Sequence, residues 1–168
     1  MLVWILIIVG SVLLDQISKR LVVAFLMEKG SVDLIPDVLR FTYVENRGAA
    51  FGMLSEHRWV FMIVSTVAIV AMLIYLWKFR PESKLACASI ALIVGGGIGN
   101  MIDRVYLDYV IDFIDFCAFD FWIWVFNVAD ACVCVGGGLL LLWCVISLIQ
   151  EGKAGKQKVE EESAKSEE

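Results

Sequence analysis

Four apolar runs, at residues 2–27, 59–77, 85–102 and 121–149, leave this chain little freedom in what it can fold into. Each is about as long as the stretch of about 20 apolar residues that a helix needs to cross a bilayer. Of the 168 residues, 60% are hydrophobic, and the mean hydropathy is +0.80. That is well above the apolar share of a soluble domain. The expectation is an all-α membrane protein with four transmembrane helices in one domain, residues 1–149. The segment 150–168, rich in Glu, Lys, Gly and Ser and without apolar period, reads as a disordered cytoplasmic tail. A net charge of −5 does not suggest nucleic acid as a partner.

The first run continues past Asp15 and Lys19 without closing on a small-residue cleavage site, so it reads as a retained span and not a signal peptide. Residues 28–58 turn polar and mixed, with strand-like alternation near Leu39–Val44. They predict a small extracytoplasmic, partly β, surface element folded back on the membrane. The short loop holding Lys78, Arg80 and Lys84 reads as cytoplasmic by the positive-inside rule. Both termini are then cytoplasmic, and the longer connections face outward.

Polar residues inside apolar runs need a reason. A central Asp in a membrane helix costs roughly 2.5 to 3.5 kcal/mol, yet Asp130 stands in the fourth run. Asp15 and Lys19, four apart with the acid first, share a helix face and partly compensate one another. Asp103 and Arg104 are expected to pair at the outer end of the third run. Heights taken at 1.5 Å per residue from each cytoplasmic end put Asp15 at roughly 20 Å, Lys19 at roughly 26 Å, Asn100 at about 23 Å and Asp130 at about 28 Å. Rare polar groups of three runs therefore share one layer. Asp112, about ten residues beyond the third run, is near enough along the chain to turn back beside Asp130.

Two carboxyls in a low-dielectric site cannot both ionise easily, so they share a proton and present one acid and one base. Helix packing alone explains Asp130 and a loop carboxylate explains Asp112 in the plainer reading. A small proton-coupled transporter also places Asp and Lys inside a bundle. The single histidine and five cysteines draw no zinc spacing, and no metal or organic cofactor is called for. The glycines at 95, 96, 97 and 99 lack the Lys-Ser/Thr of a phosphate loop and instead present a small-xxx-small face for close helix approach. Asn46 and Gly48 read as turn residues.

Five ordered motifs, D-Q-I-S-K at 15–19, N-R-G-A-A-F-G at 46–52, G-N-M-I-D-R at 99–104, V-I-D-F at 110–113 and F-N-V-A-D at 126–130, resemble those of the bacterial lipoprotein signal peptidases (signal peptidase II). The resemblance implies a four-span aspartic peptidase of the bacterial cytoplasmic (inner) membrane, with its active site near the outer face. Its substrate would be a diacylglyceryl-modified prolipoprotein, cut just before the lipid-bearing cysteine. Asp112 and Asp130 match the family's catalytic pair. Asp15, Lys19, Asn46, Gly48, Asn100, Asp103, Arg104 and Asn127 fall on motif positions that support the pair, the fold or substrate binding. Membrane lipids and a cyclic peptide inhibitor of the globomycin type are the further partners implied.

Overall fold

In the computed structural model, residues 2–48, 58–79, 81–118 and 124–166 are described. Helices α1 (Leu2–Leu26), α2 (Arg58–Lys78), α3 (Lys84–Tyr106) and α4 (Val128–Ser166) carry most of the chain. Strands β1 (Ser31–Ile35), β2 (Leu39–Asn46), β3 (Val110–Phe116) and β4 (Val125–Phe126) form one sheet between them. Leu2–Leu26, Lys84–Tyr106 and Val128–Gly155 are long and apolar enough to cross a membrane. This is a multi-pass membrane protein. In α2 the apolar stretch Met62–Lys78 is shorter. At 1.5 Å per residue it is about 25 Å long, against a hydrocarbon core about 30 Å thick.

The hub is α3, which packs against α1, α2 and α4. Small residues make this possible. Ala86, Ser89, Ala91, Gly95, Gly96 and Gly99 are all buried along it. A Cβ on Gly99 would lie 2.6 Å from the Asp15 carboxylate, and one on Gly96 would run into the Ala129 carbonyl. Gly95 and Gly99 thus present the close-approach face expected from their spacing. The N-terminus of α3 is capped by Ser83, whose Oγ accepts from the Ala86 N–H at 3.2 Å.

The sheet is antiparallel throughout, in the order β1-β2-β3-β4. Val44 lies opposite Asp112 and Asn46 opposite Val110, with a register irregularity between Phe41 and Val44. Strand β1 is exposed along its length, whereas Val110 to Phe113 in β3 are buried. Ile111 and Phe113 pack with Val22 and Leu26 from the end of α1. That contact seats the sheet on the helices.

Three expectations are corrected. The segment carrying Asp112 is a strand paired on both sides, not a simple return loop, so the β content is larger than the 39–44 alternation predicts. The fourth helix begins at Val128 and not near Phe121: Val125–Phe126 pair with β3, and hydropathy alone does not distinguish an apolar strand from an apolar helix. Beyond Gln150, α4 stays helical to Ser166 where disorder was expected. Ala, Glu, Lys and Gln are strong helix formers, and an existing helix extends more readily than a new one nucleates. Arg80, Ala49 to Gly52 of the second motif, and the aromatic residues 119, 121 and 122 lie outside the described residues.

Candidate active site

The site begins at the N-terminus of α4, where backbone N–H groups lack intrahelical partners. Asn127 precedes the helix, and its Oδ1 accepts from the Asp130 N–H at 2.8 Å. In return the Asn127 N–H donates to Asp130 Oδ2 at 3.3 Å. This is a reciprocal capping box, and it explains why α4 starts where it does. Asp15, on α1, accepts from the Ala129 N–H at 2.9 Å and so caps a helix that is not its own. The carboxyl of Asp130 therefore sits at the positive end of the α4 dipole.

Below it lies a buried cation. Asp15 is 0% exposed and Lys19 1%. The Lys19 ammonium meets Asp15 Oδ2 at 2.9 Å, Asp103 Oδ2 at 2.8 Å and Asn100 Oδ1 at 3.0 Å. Three donors find three acceptors. Asp103 also accepts from the Ile111 N–H at 3.2 Å, which ties α3 to the strand that carries Asp112. The expected pairing of Asp103 with Arg104 is not what forms: Asp103 serves Lys19, and Arg104 donates to the Asn100 carbonyl at 3.2 Å. Neighbouring residues on a helix point in different directions, so adjacent charges seldom meet. The half-buried guanidinium of Arg104 still lies in the fields of Asp130, Asp112 and Asp103.

Above Lys19, amides fill the layer. Asn100 Oδ1 accepts from Lys19 and from Asn127 Nδ2, the latter at 3.0 Å. An ammonium has no acceptor, so the oxygen must face it. The Nδ2 of Asn100 is thereby aimed at Asp130 Oδ1, 2.7 Å away. Asn127, 0% exposed, also donates to Asp112 Oδ1 at 2.6 Å. Asn46, at the end of β2, donates to Asp112 Oδ2 at 2.8 Å and accepts from the Gly48 N–H at 3.0 Å, an Asx turn. Each oxygen of Asp112 and Asp130 thus receives a hydrogen bond, and Asn127 bridges the two residues. Asp112 is only 3% exposed. Burial pushes its carboxyl up to about 6, against the pull of the Asn46 and Asn127 hydrogen bonds, and the nearby charge of Asp130 adds to the rise.

All ten residues singled out from the sequence fall in or beside this layer, and the common depth of Asp15, Lys19, Asn100 and Asp130 becomes one connected network. Gln16 was not among them. Its Nε2 donates to Asp103 Oδ1 at 2.9 Å and Gly99 O at 3.2 Å, with Asp15 Oδ2 at 3.3 Å. The available signal was a second polar residue beside Asp15 in an apolar run. Asp115 was also passed over; it anchors β3 to β2 through Arg40 at 2.6 Å.

Comparison with known proteins places this geometry. A family model described as signal peptidase (SPase) II matches residues 7–146. Lipoprotein signal peptidases of three bacteria are similar along most of their length. That of Halothermothrix orenii is 43% identical over 145 residues, 86% of this chain and 93% of its own. The protein of Caldanaerobacter subterraneus subsp. tengcongensis is 50% identical over 129 residues, 77% of this chain and 86% of its own. For Clostridioides difficile the figures are 42% over 153 residues, 91% and 99%. Two solved structures of bacterial membrane enzymes share the fold at 33% identity. One has a TM-score of 0.78 and covers 90% of each chain; the other, at 0.76, covers 86% of this chain and 93% of its own. With the family model spanning most of the chain and close relatives matched nearly end to end, this chain belongs to the signal peptidase II family, the lipoprotein signal peptidases.

Proposed function

We propose that this protein is an aspartic endopeptidase that removes the signal peptide from diacylglyceryl-modified prolipoproteins, cutting just before the lipid-bearing cysteine, with Asp112 and Asp130 as the catalytic pair. The observation that carries the reading is the double bridge of Asn127, which ties the capped carboxyl of α4 to the buried carboxyl of β3. The ionised member of the pair takes a proton from water as the water oxygen attacks the scissile carbonyl carbon. Its protonated partner gives a proton to the carbonyl oxygen. Collapse of the tetrahedral intermediate breaks the C–N bond and returns a proton to the departing amine. The titration belongs to the pair, and neither carboxyl is assigned one role.

The supporting residues divide by what they touch. Asn46, Asn100 and Asn127 present N–H groups to the two carboxyls, while Lys19, Asp15 and Asp103 hold those amides and the start of α4 in place. Arg104 supplies positive charge near the pair for a substrate carbonyl. Gly48 shapes the turn that aims Asn46. In this reading α2 is a fourth span, both termini are cytoplasmic, and the sheet faces the outer side of the inner membrane. The acyl chains of the substrate then stay among the outer-leaflet lipids, and a globomycin-type cyclic peptide competes for the same site.

The test is incubation of the purified enzyme with a diacylglyceryl-modified prolipoprotein in lipid, with product masses read by mass spectrometry. The expected product begins at the modified cysteine, and a globomycin-type peptide suppresses it. Solute flux without peptide cleavage would favour a proton-coupled transporter instead.

A further inference from the structure

We infer that Gln16 is a positioning residue for this reaction, holding Asp112 in place through Asp103. The inference rests on Asp112 being one of the catalytic carboxyls. Its starting point is an imbalance around Lys19: two buried carboxylates, Asp15 and Asp103, share one ammonium. The ammonium meets one oxygen of each. The side-chain amide of Gln16 reaches both acids with its two N–H groups, which are shared among Asp103 Oδ1, the Gly99 carbonyl and Asp15 Oδ2. All three of these neighbours are acceptors, so the orientation of the amide is determined.

The consequence runs through Asp103. Gln16 holds its Oδ1, which leaves Oδ2 to accept from Lys19 and from the Ile111 N–H. Ile111 immediately precedes Asp112. Among the described contacts, the Asp103 bond to Ile111 is the one hydrogen bond from α3 to the backbone of β3. Rotation of the Asp103 carboxylate would remove that tie between α3 and β3 and loosen the placement of the Asp112 carboxyl, whose hydrogen bonds to Asn46 and Asn127 are 2.8 and 2.6 Å long. A neutral amide does this without adding charge. The formal charges of Asp15 and Asp103 already balance those of Lys19 and Arg104, so the pair can keep a single negative charge.

Two variants test this, with Asp112→Asn as control and with activity normalised to folded protein by thermal unfolding in the same detergent. Gln16→Met keeps length and loses the N–H groups; kcat should fall about tenfold with KM within about twofold. Gln16→Glu places a carboxyl among Asp15, Lys19, Asp103 and, beyond them, Arg104, Asp130 and Asp112. When ionised it opposes two acceptors; when protonated it donates to Asp103 as the amide does. Its activity relative to wild type should therefore recover as pH falls, whereas a purely structural role would leave the pH profile unmoved. In a double-mutant cycle, Gln16→Met and Asp103→Asn should be less than additive in kcat. Wild-type kcat and pH profile in the variants, or full additivity, would overturn the inference. An active Asp112→Asn enzyme would instead overturn the catalytic reading on which it rests.

Discussion

Replacing Lys19 by Met should unfold this protein more readily than any other single change to its network. The ammonium is 1% exposed and lies within 3.0 Å of Asp15, Asp103 and Asn100. Methionine fills similar volume but takes away the ammonium that two buried carboxylates share. Breaking a buried pair by removing one partner costs about 3–5 kcal/mol. For a chain of this size each kcal/mol corresponds to about 2–4 °C in Tm, so a fall of about 6 to 20 °C is expected. The amide of Asn100, no longer held by a donor-only neighbour, can also turn its oxygen toward Asp130, and cleavage per folded molecule should fall at least about tenfold. The assay is thermal unfolding of purified protein in one detergent, beside the exposed control Lys29→Met, whose stability should stay within about 0.5 kcal/mol of wild type. A fall of less than about 3 °C for Lys19→Met would mean that this cation does not hold the layer together.

Asn127→Ser keeps an oxygen to cap α4 but loses the amide that reaches Asp112 and Asn100, so helix content should hold by circular dichroism while cleavage falls about tenfold or more. Gly99→Ala puts a methyl 2.6 Å from the Asp15 carboxylate and should cost about 1–3 kcal/mol, whereas Gly137→Ala, in open space, should be neutral or slightly stabilising; equal Tm values for the two would contradict the packing described. Burial raises the Asp112 carboxyl from 3.8 to about 6 in the folded protein. Its protonated form is therefore favoured by folding: the contribution is fully present below about pH 4 and is lost as pH rises to about 6. Unfolding measured across that window should show this slope in wild type and lack it in Asp112→Asn.

The helices that carry the site were legible in the sequence because hydropathy and helical rise are properties of single runs. Asp15, Lys19, Asn100 and Asp130 stood out as polar groups at one depth in apolar surroundings. The strand at Val110–Phe116 did not, because V-I-D-F-I-D-F lacks a clean alternation and is buried on both sides of Asp112. The start of α4 was masked by the apolar aromatic residues before it; the N-x-x-D of Asn127 and Asp130 marks it by hydrogen-bonding chemistry that a hydropathy profile does not register. Partners distant in sequence were beyond reach. Asp15 caps Ala129 across 114 positions, and Gln16 meets Asp103 across 87. The helix past Gln150 was misread because a composition rich in Glu, Lys and Ser fits both a disordered tail and an extension of an existing helix.

The most direct test of the catalytic pair is single-turnover cleavage of a diacylglyceryl-modified prolipoprotein by wild type, Asp112→Asn and Asp130→Asn, each first shown to be folded. The account predicts cleavage by wild type and none above background by either variant. Substantial cleavage by a folded Asp112→Asn or Asp130→Asn enzyme would contradict it.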